Sequence, residues 1–299
     1  MKPSRSSAVE ACELVRTVSA DGGLSVRALV ATGLVAEAAR RHATAPTATA
    51  ALGRALMGAV LIATGAQDGE TLQLQFRGDG PLGQMTVISD HRGRVRGYVA
   101  DPSVHPPPRA GKLDVAAAVG TGVLAVVRYH PSWREPYTGI VPLVSGEVAA
   151  DLAHYLVTSE QTPSALAAGV FVQGDGSVAA AGGYLVQVLP GADEDVLTHL
   201  EQTVRTLPTP TELVRSGLGA DGLIDALLAG LGSRARERSR PEFFCGCDTT
   251  KIRRAVMLLG REETRAIAAA GEALDVRCEF CATNYRLAPD EVGALLPDG

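Results

Sequence analysis

The stretch Thr71-Leu72-Gln73-Leu74-Gln75-Phe76-Arg77-Gly78-Asp79-Gly80-Pro81-Leu82-Gly83-Gln84-Met85-Thr86-Val87-Ile88-Ser89 decides between two folds. Residues 71–76 alternate apolar and polar, the pattern of a half-buried strand. Gly78, Gly80 and Gly83 then match G-x-G-x-x-G, but a dinucleotide fingerprint must open a helix aimed at the pyrophosphate. Here Met85–Ser89 reads as a second strand. The glycines are better explained as a tight turn, and strands that follow one another directly point to antiparallel sheets rather than βαβ units.

Downstream, Arg94–Ala100, Val123–Tyr129 and Ile140–Val144 read as further strands. Val148–Glu160 has helical spacing and stops before Pro163. Val170–Gln173 and Gly183–Leu189 read as strands joined across Gly174-Asp175-Gly176. Upstream, residues 24–66 read as helical: Leu24, Val26, Leu29 and Val30 form a stripe interrupted by Gly33, and a second helix runs from Thr47 to Thr64. The expected class is α+β, with an N-terminal core of antiparallel β-sheets and packed helices over 1–190. Residues 191–240 are expected to be a helical linker, broken by Pro208, Pro210 and several glycines, with one apolar patch at Leu223, Ile224, Leu227 and Leu228. A small C-terminal zinc-binding domain is expected over 241–299.

The 299 residues are 46% hydrophobic and 20% charged with a net charge of −5, which does not favour a nucleic-acid or anionic-membrane partner. The N-terminus lacks an apolar h-region. The longest apolar run, Ala55–Ala63, is short of the ~20 residues that span a bilayer. A soluble, cytoplasmic protein is expected. Five cysteines in such a compartment favour metal binding or redox chemistry over a disulfide framework. His42, His91, His105, His130, His154 and His199 show no metal-ligand spacing and read as structural. No nucleophile elbow, P-loop or zinc-protease motif is present, so no enzyme is expected. Cys12, in a predicted helix, reads as a small buried hydrophobe.

The other four cysteines form two close pairs, Cys245-Gly246-Cys247 and Cys278-Glu279-Phe280-Cys281. Two pairs separated by a loop supply four thiolates, the ligand set of a closed tetrahedral zinc site, with no open position for catalysis. So short a segment buries little core and needs a staple. Ile252, Val256–Leu259, Ala266, Ile267 and Ala270 suggest two small helices beside the metal. The one-residue spacing makes a tight loop in which Gly246 leaves room. The CxC pair can also close on itself as a strained, reducible bridge. An oxidant that removes the thiolates would deprive the module of its metal and a marginal linker of its support.

Further blocks extend the reading along the chain: Leu74–Leu82, Arg96-Gly97-Tyr98-Val99, Tyr137–Leu143, Ser159–Ser164 and Ala181–Pro190. Together with the two cysteine pairs, in collinear order, they resemble the redox-regulated thirty-three-kilodalton chaperonin (heat shock protein 33) family, from about residue 10 to 290. The resemblance implies an α+β core, a helical linker and a four-cysteine redox-switch domain. It also implies one zinc per chain when reduced, and an ATP-independent holdase that is inactive in that state. Oxidation would form Cys245–Cys247 and Cys278–Cys281, release zinc and unfold the linker, and dimers would hold unfolding clients. The linker is rich in Gly and Ala and carries two prolines, a departure from the family pattern that implies weaker helices and either a lower activation threshold or partly constitutive activity. Two other functions compete. A thiol–disulfide oxidoreductase would place its motif at a helix N-terminus on a thioredoxin-like fold. A zinc module that binds protein or nucleic acid is disfavoured for nucleic acid by the seven Lys and Arg against ten Asp and Glu of residues 241–299.

Overall fold

The structure, a computed structural model, describes residues 12–295. The leader reading of the first residues falls outside that range. The residues divide into two compact units, one ending at Phe243 and one beginning at Phe244.

In the first unit β1 (Glu13–Val18) and β2 (Leu24–Val30) form a hairpin, followed by α1 (Thr32–His42) and α2 (Pro46–Ala63). Then come β3 (Thr71–Gly78), β4 (Gln84–Asp90), β5 (Arg94–Val99), α3 (Val115–Val119), β6 (Gly122–Tyr129) and β7 (Tyr137–Pro142). The chain continues through α4 (Ala149–Thr158), β8 (Ser164–Val172), β9 (Val178–Val188), α5 (Glu194–Thr206), α6 (Pro210–Arg215) and α7 (Ala220–Leu227). It ends in the short strands β10 (Glu237–Ser239) and β11 (Glu242–Phe243). Two sheets result, in the orders β10-β1-β2-β9-β8 and β11-β5-β4-β3-β6-β7. Every pairing is antiparallel except β11 with β5. The α+β class holds.

β3 and β4 pair directly, from Thr71–Asp90 to Arg77–Gln84, so the glycines turn the chain and no helix follows. The physical need for glycine here is close approach. A Cβ on Gly78 would lie 1.9 Å from the Val119 carbonyl oxygen, and one on Gly80 2.4 Å from that of Ala118. α2 lies between the two sheets and touches strands of both. It is the one helix among the described residues long and apolar enough to cross a membrane, and 89% of it is buried inside the unit. Its glycines set the packing distance: a Cβ on Gly58 would meet Leu152 at 2.2 Å, and one on Gly53 would meet Val35 at 2.7 Å.

Residues 24–30, expected to be helical, are a strand. The reason is visible in the faces. Leu24, Val26 and Ala28 point with Val15, Tyr184 and Val186 into one apolar cluster, while Leu29 joins Leu14 and Leu185 on the opposite face. Apolar residues on both faces blur the period-2 signal of a strand covered on two sides. The second cluster is completed by the helices of 191–240: Leu200, Leu213, Ala220, Leu223, Ile224, Leu227 and Leu228 are all buried in it. The five-stranded sheet is thus sandwiched between α1–α2 and α5–α7.

In the second unit α8 (Thr249–Met257) and α9 (Arg261–Ala269) precede the hairpin β12 (Leu274–Arg277) and β13 (Asn284–Leu287), then α10 (Pro289–Gly293). The two small helices expected between the cysteine pairs are α8 and α9. The buried apolar core is small among the described residues, Ile252, Val256, Leu287 and Val292, with Ile267, Leu274, Val276 and Tyr285 partly buried around it.

Candidate metal centre

Cys245 and Cys247 lie in the loop that leads into α8. Asp248 caps that helix by accepting a hydrogen bond from the Lys251 amide at 2.8 Å, and the Lys251 ammonium turns back to donate to the Gly246 carbonyl. Cys278 and Cys281 occupy the turn between β12 and β13. The turn closes through Cys278 N to Thr283 O at 2.9 Å and Ala282 N to Cys278 O at 2.8 Å, with Ala282 left-handed at φ 57°. A helix-entry loop and a hairpin turn thus each present two sulfurs to one point.

The four Sγ atoms lie within 4.8 Å of one another. Cys245 and Cys278 are 3.9 Å apart, and Cys247 and Cys281 3.3 Å. Four ligands at the Zn–S distance of ~2.3 Å in a tetrahedron have sulfurs just under 4 Å apart, so the set fits such an ion closely. Cys281 is buried and the other three are partly exposed. The thiols without a metal differ in how readily they ionise. Burial pushes Cys245 up to about 12 and raises Cys278 as well. At Cys281 burial acts upward too, but hydrogen bonds with Thr283 and with Cys247 and Cys278 bring it down to about 7. Four adjacent sulfurs cannot all ionise without a compensating cation, and a divalent metal supplies that compensation. The donor set therefore fits zinc.

Two residues beside the sulfurs escape the sequence reading. The Tyr285 hydroxyl donates to Cys247 Sγ at 3.0 Å, and Thr283 Oγ1 stands 3.3 Å from Cys281 Sγ. The hydrogen bond to Cys247, followed by burial, raises the Tyr285 phenol above its ordinary range. Thr283 just precedes β13 and Tyr285 lies within it, two residues apart, so both reach the sulfurs from the chain that leaves Cys281. Gly246 behaves differently from expectation. A Cβ there would stand 3.4 Å from Lys251 Nζ and 3.6 Å from the Phe244 ring, ordinary contacts, so no crowding demands glycine.

Cys12 is not in the cluster. It lies in irregular chain just before β1 rather than in a helix, packed against the main core, and burial pushes its thiol up to about 12. No histidine joins a metal-ligating group among the described residues. Several have structural partners: His105 Nδ1 lies 2.7 Å from Thr47 Oγ1, His199 Nε2 2.7 Å from the Ala229 carbonyl, and His42 meets the Phe243 ring edge-on.

The family model described as Hsp33 protein matches residues 13–288. The chain belongs to the Hsp33 family. Among curated Hsp33 relatives, the 33 kDa chaperonin of Desulforamulus reducens is 41% identical over 284 residues, covering 95% of this chain and 96% of the relative. That of Thermus thermophilus is 43% identical, covering 95% and 86%. The crystal structure of the Thermotoga maritima 33 kDa chaperonin, an Hsp33 homologue, superposes with a TM-score of 0.89 at 34% identity, over 95% of this chain and 97% of that one. The chain is thus similar to named chaperonins along nearly its whole length, sheets and cysteine module included.

Proposed function

We propose that this chain is a redox-regulated, ATP-independent holdase whose switch is a zinc site made by Cys245, Cys247, Cys278 and Cys281. One observation carries the reading: four sulfurs converge within 4.8 Å in a unit whose buried apolar cluster, among the described residues, is only Ile252, Val256, Leu287 and Val292. Such a core cannot hold a unit of that length folded by itself, and metal binding of roughly 10–16 kcal/mol can. When bound, zinc supplies charge compensation that keeps four thiolates together; it does no chemistry on a substrate.

Oxidation then acts on the chain's own ligands. Each pair of thiolates gives two electrons to a peroxide, which with two protons leaves as water, and an S–S bond replaces two metal bonds. The nearest sulfurs in the folded module belong to different pairs. Once the module loosens, the bridges the family resemblance implies, Cys245–Cys247 and Cys278–Cys281, form within each pair. The residues of 191–240 act as a linker between a chaperone core over 1–190 and the redox-switch domain over 241–299. Release of α5–α7 would bare the apolar face of Leu24, Val26, Tyr184 and Val186 to unfolding clients. We place the chain in a reducing cytoplasm, where thiols persist as metal ligands until an oxidant arrives. We place the active form as a homodimer without enzymatic turnover.

The test compares the reduced, zinc-loaded chain with the peroxide-oxidised chain against a heat-unfolding client. Only the oxidised chain should suppress light scattering. Equal protection by both forms would remove the switch.

A further inference from the structure

Residues 237–243 run from one sheet to the other. β10 pairs with β1 through Leu14–Ser239, Val15–Arg238 and Arg16–Glu237, and after Arg240 and Pro241, β11 pairs with β5 through Glu242–Arg94 and Phe243–Val95. Both β1 and β5 would otherwise be edge strands. One short strap therefore caps an edge of each sheet, and it is the last part of the first unit before the cysteine module.

The strap covers its edges incompletely. β10 pairs with three of the six residues of β1, the chain just before it adds Arg234 N to the Val18 carbonyl at 2.8 Å, and β11 pairs with only two of the six residues of β5. β10 is exposed along its whole length. The strap's anchors are local: Arg16 Nε donates to Glu237 at 2.7 Å and Glu242 N to the Gly93 carbonyl at 3.2 Å, and just before it Thr17 Oγ1 donates to the Arg234 carbonyl at 3.0 Å. Beneath it the edges are apolar: Leu14, Val15, Val95 and Val99 are buried. A bare apolar edge with unpaired N–H and C=O groups is a template for another strand.

We infer that β1 and β5 are client-binding edges, masked by residues 237–243 and filled on activation by extended apolar segments of an unfolded polypeptide. The occupant's chemistry follows from the strap's own example and from the edge. Backbone pairing gives sequence-tolerant affinity, and alternate apolar side chains continue the buried rows of the sheet. A client segment as long as β5 would pair with more of that edge than the strap does, and one on β1 would replace the strap along it. This inference rests on the holdase reading above and adds to it where the client sits.

The test is amide hydrogen exchange on the full chain in three states: reduced with zinc, peroxide-oxidised, and oxidised with reduced, carboxymethylated α-lactalbumin as a permanently unfolded probe. Holding of that probe is measured on the same samples. Residues 13–18 and 94–99 should lose protection on oxidation and regain it with the probe. Edges that never open, or that stay open while the probe is held, would overturn the inference and leave the holdase reading intact. Protection regained without the probe as chain concentration rises would assign the edges to a second copy and overturn it also. No holding at all would sink both. A second variant tethers the strap: Arg16→Cys with Glu237→Cys, at paired positions, joined as a disulfide. It should still lose zinc with peroxide but hold the probe about tenfold more weakly, the loss of one or two net hydrogen bonds. Unweakened holding by the tethered chain would refute the inference.

Discussion

Leu223→Ala probes the cover on the five-stranded sheet. α7 is eight residues long, and its N-cap, Gly219, offers no side-chain hydrogen bond. A helix this short is not stable alone, so its docking rests on tertiary packing. Leu223, Ile224 and Leu227 are fully buried against Val15, Leu24, Val26 and Tyr184. Further ties are the ion pairs of Arg236 with Asp221 and Asp225 and of Arg238 with Asp221, partly exposed and worth about 1 kcal/mol each. Removing a buried leucine side chain costs about 2–5 kcal/mol. At ~3 kcal/mol the undocked population of α7 rises by roughly two orders of magnitude, taking about 1.4 kcal/mol per tenfold. Exchange of residues 220–228 should accelerate by that factor while α2 stays protected, and zinc stoichiometry should not change. The reduced variant should already hold client in aggregation assays, whereas Leu223→Met, a volume-conserving swap, should not. Wild-type exchange rates in 220–228, or fast exchange without holding before oxidation, would refute the claim that these helices mask the client surface.

Four further outcomes follow from the metal centre. Chelation of zinc from the reduced chain should melt α8 and α9, seen as loss of far-ultraviolet helical signal, while the first unit keeps its cooperative transition. Tyr285→Phe removes the hydroxyl that donates to Cys247 and should speed peroxide oxidation about fivefold, the worth of about 1 kcal/mol, in stopped-flow zinc release. Gly246→Ala should leave both zinc stoichiometry and peroxide threshold unchanged, because its Cβ meets only ordinary contacts. Apparent zinc affinity should rise with pH in chelator competition. With the metal-free Cys245 thiol at about 12 its proton must be displaced throughout the neutral range, and with Cys281 at about 7 a further proton is displaced below neutrality, steepening the dependence there.

The sheet order of residues 71–100 is legible in the sequence because one face of that sheet is polar. Gln73 and Gln75 alternate with the buried Leu72, Leu74 and Phe76, and the period of two survives. It does not survive in β2, where Leu24–Val30 is covered on both faces and Leu29 interrupts the alternation. The four-thiol cluster is legible from spacing alone, since four thiols in two close pairs have few other uses. The sulfur partners Tyr285 and Thr283 are not, because a tyrosine near a hairpin usually packs, and only coordinates aim its hydroxyl at Cys247. Gly246 misleads in the other direction: a one-residue spacing suggests a strained loop, yet the backbone there leaves room for a side chain. The strap at 237–243 lies inside an arginine-rich run whose charge hides its pairing with two apolar edges.

The most direct measurement follows three quantities on one sample during a peroxide titration at raised temperature: zinc released to a chromogenic chelator, disulfides mapped by mass spectrometry, and suppression of client aggregation. All three should rise together, with one zinc per chain and bridges at Cys245–Cys247 and Cys278–Cys281. Client protection that reaches its full value while zinc remains bound and the four thiols remain reduced would contradict the redox switch.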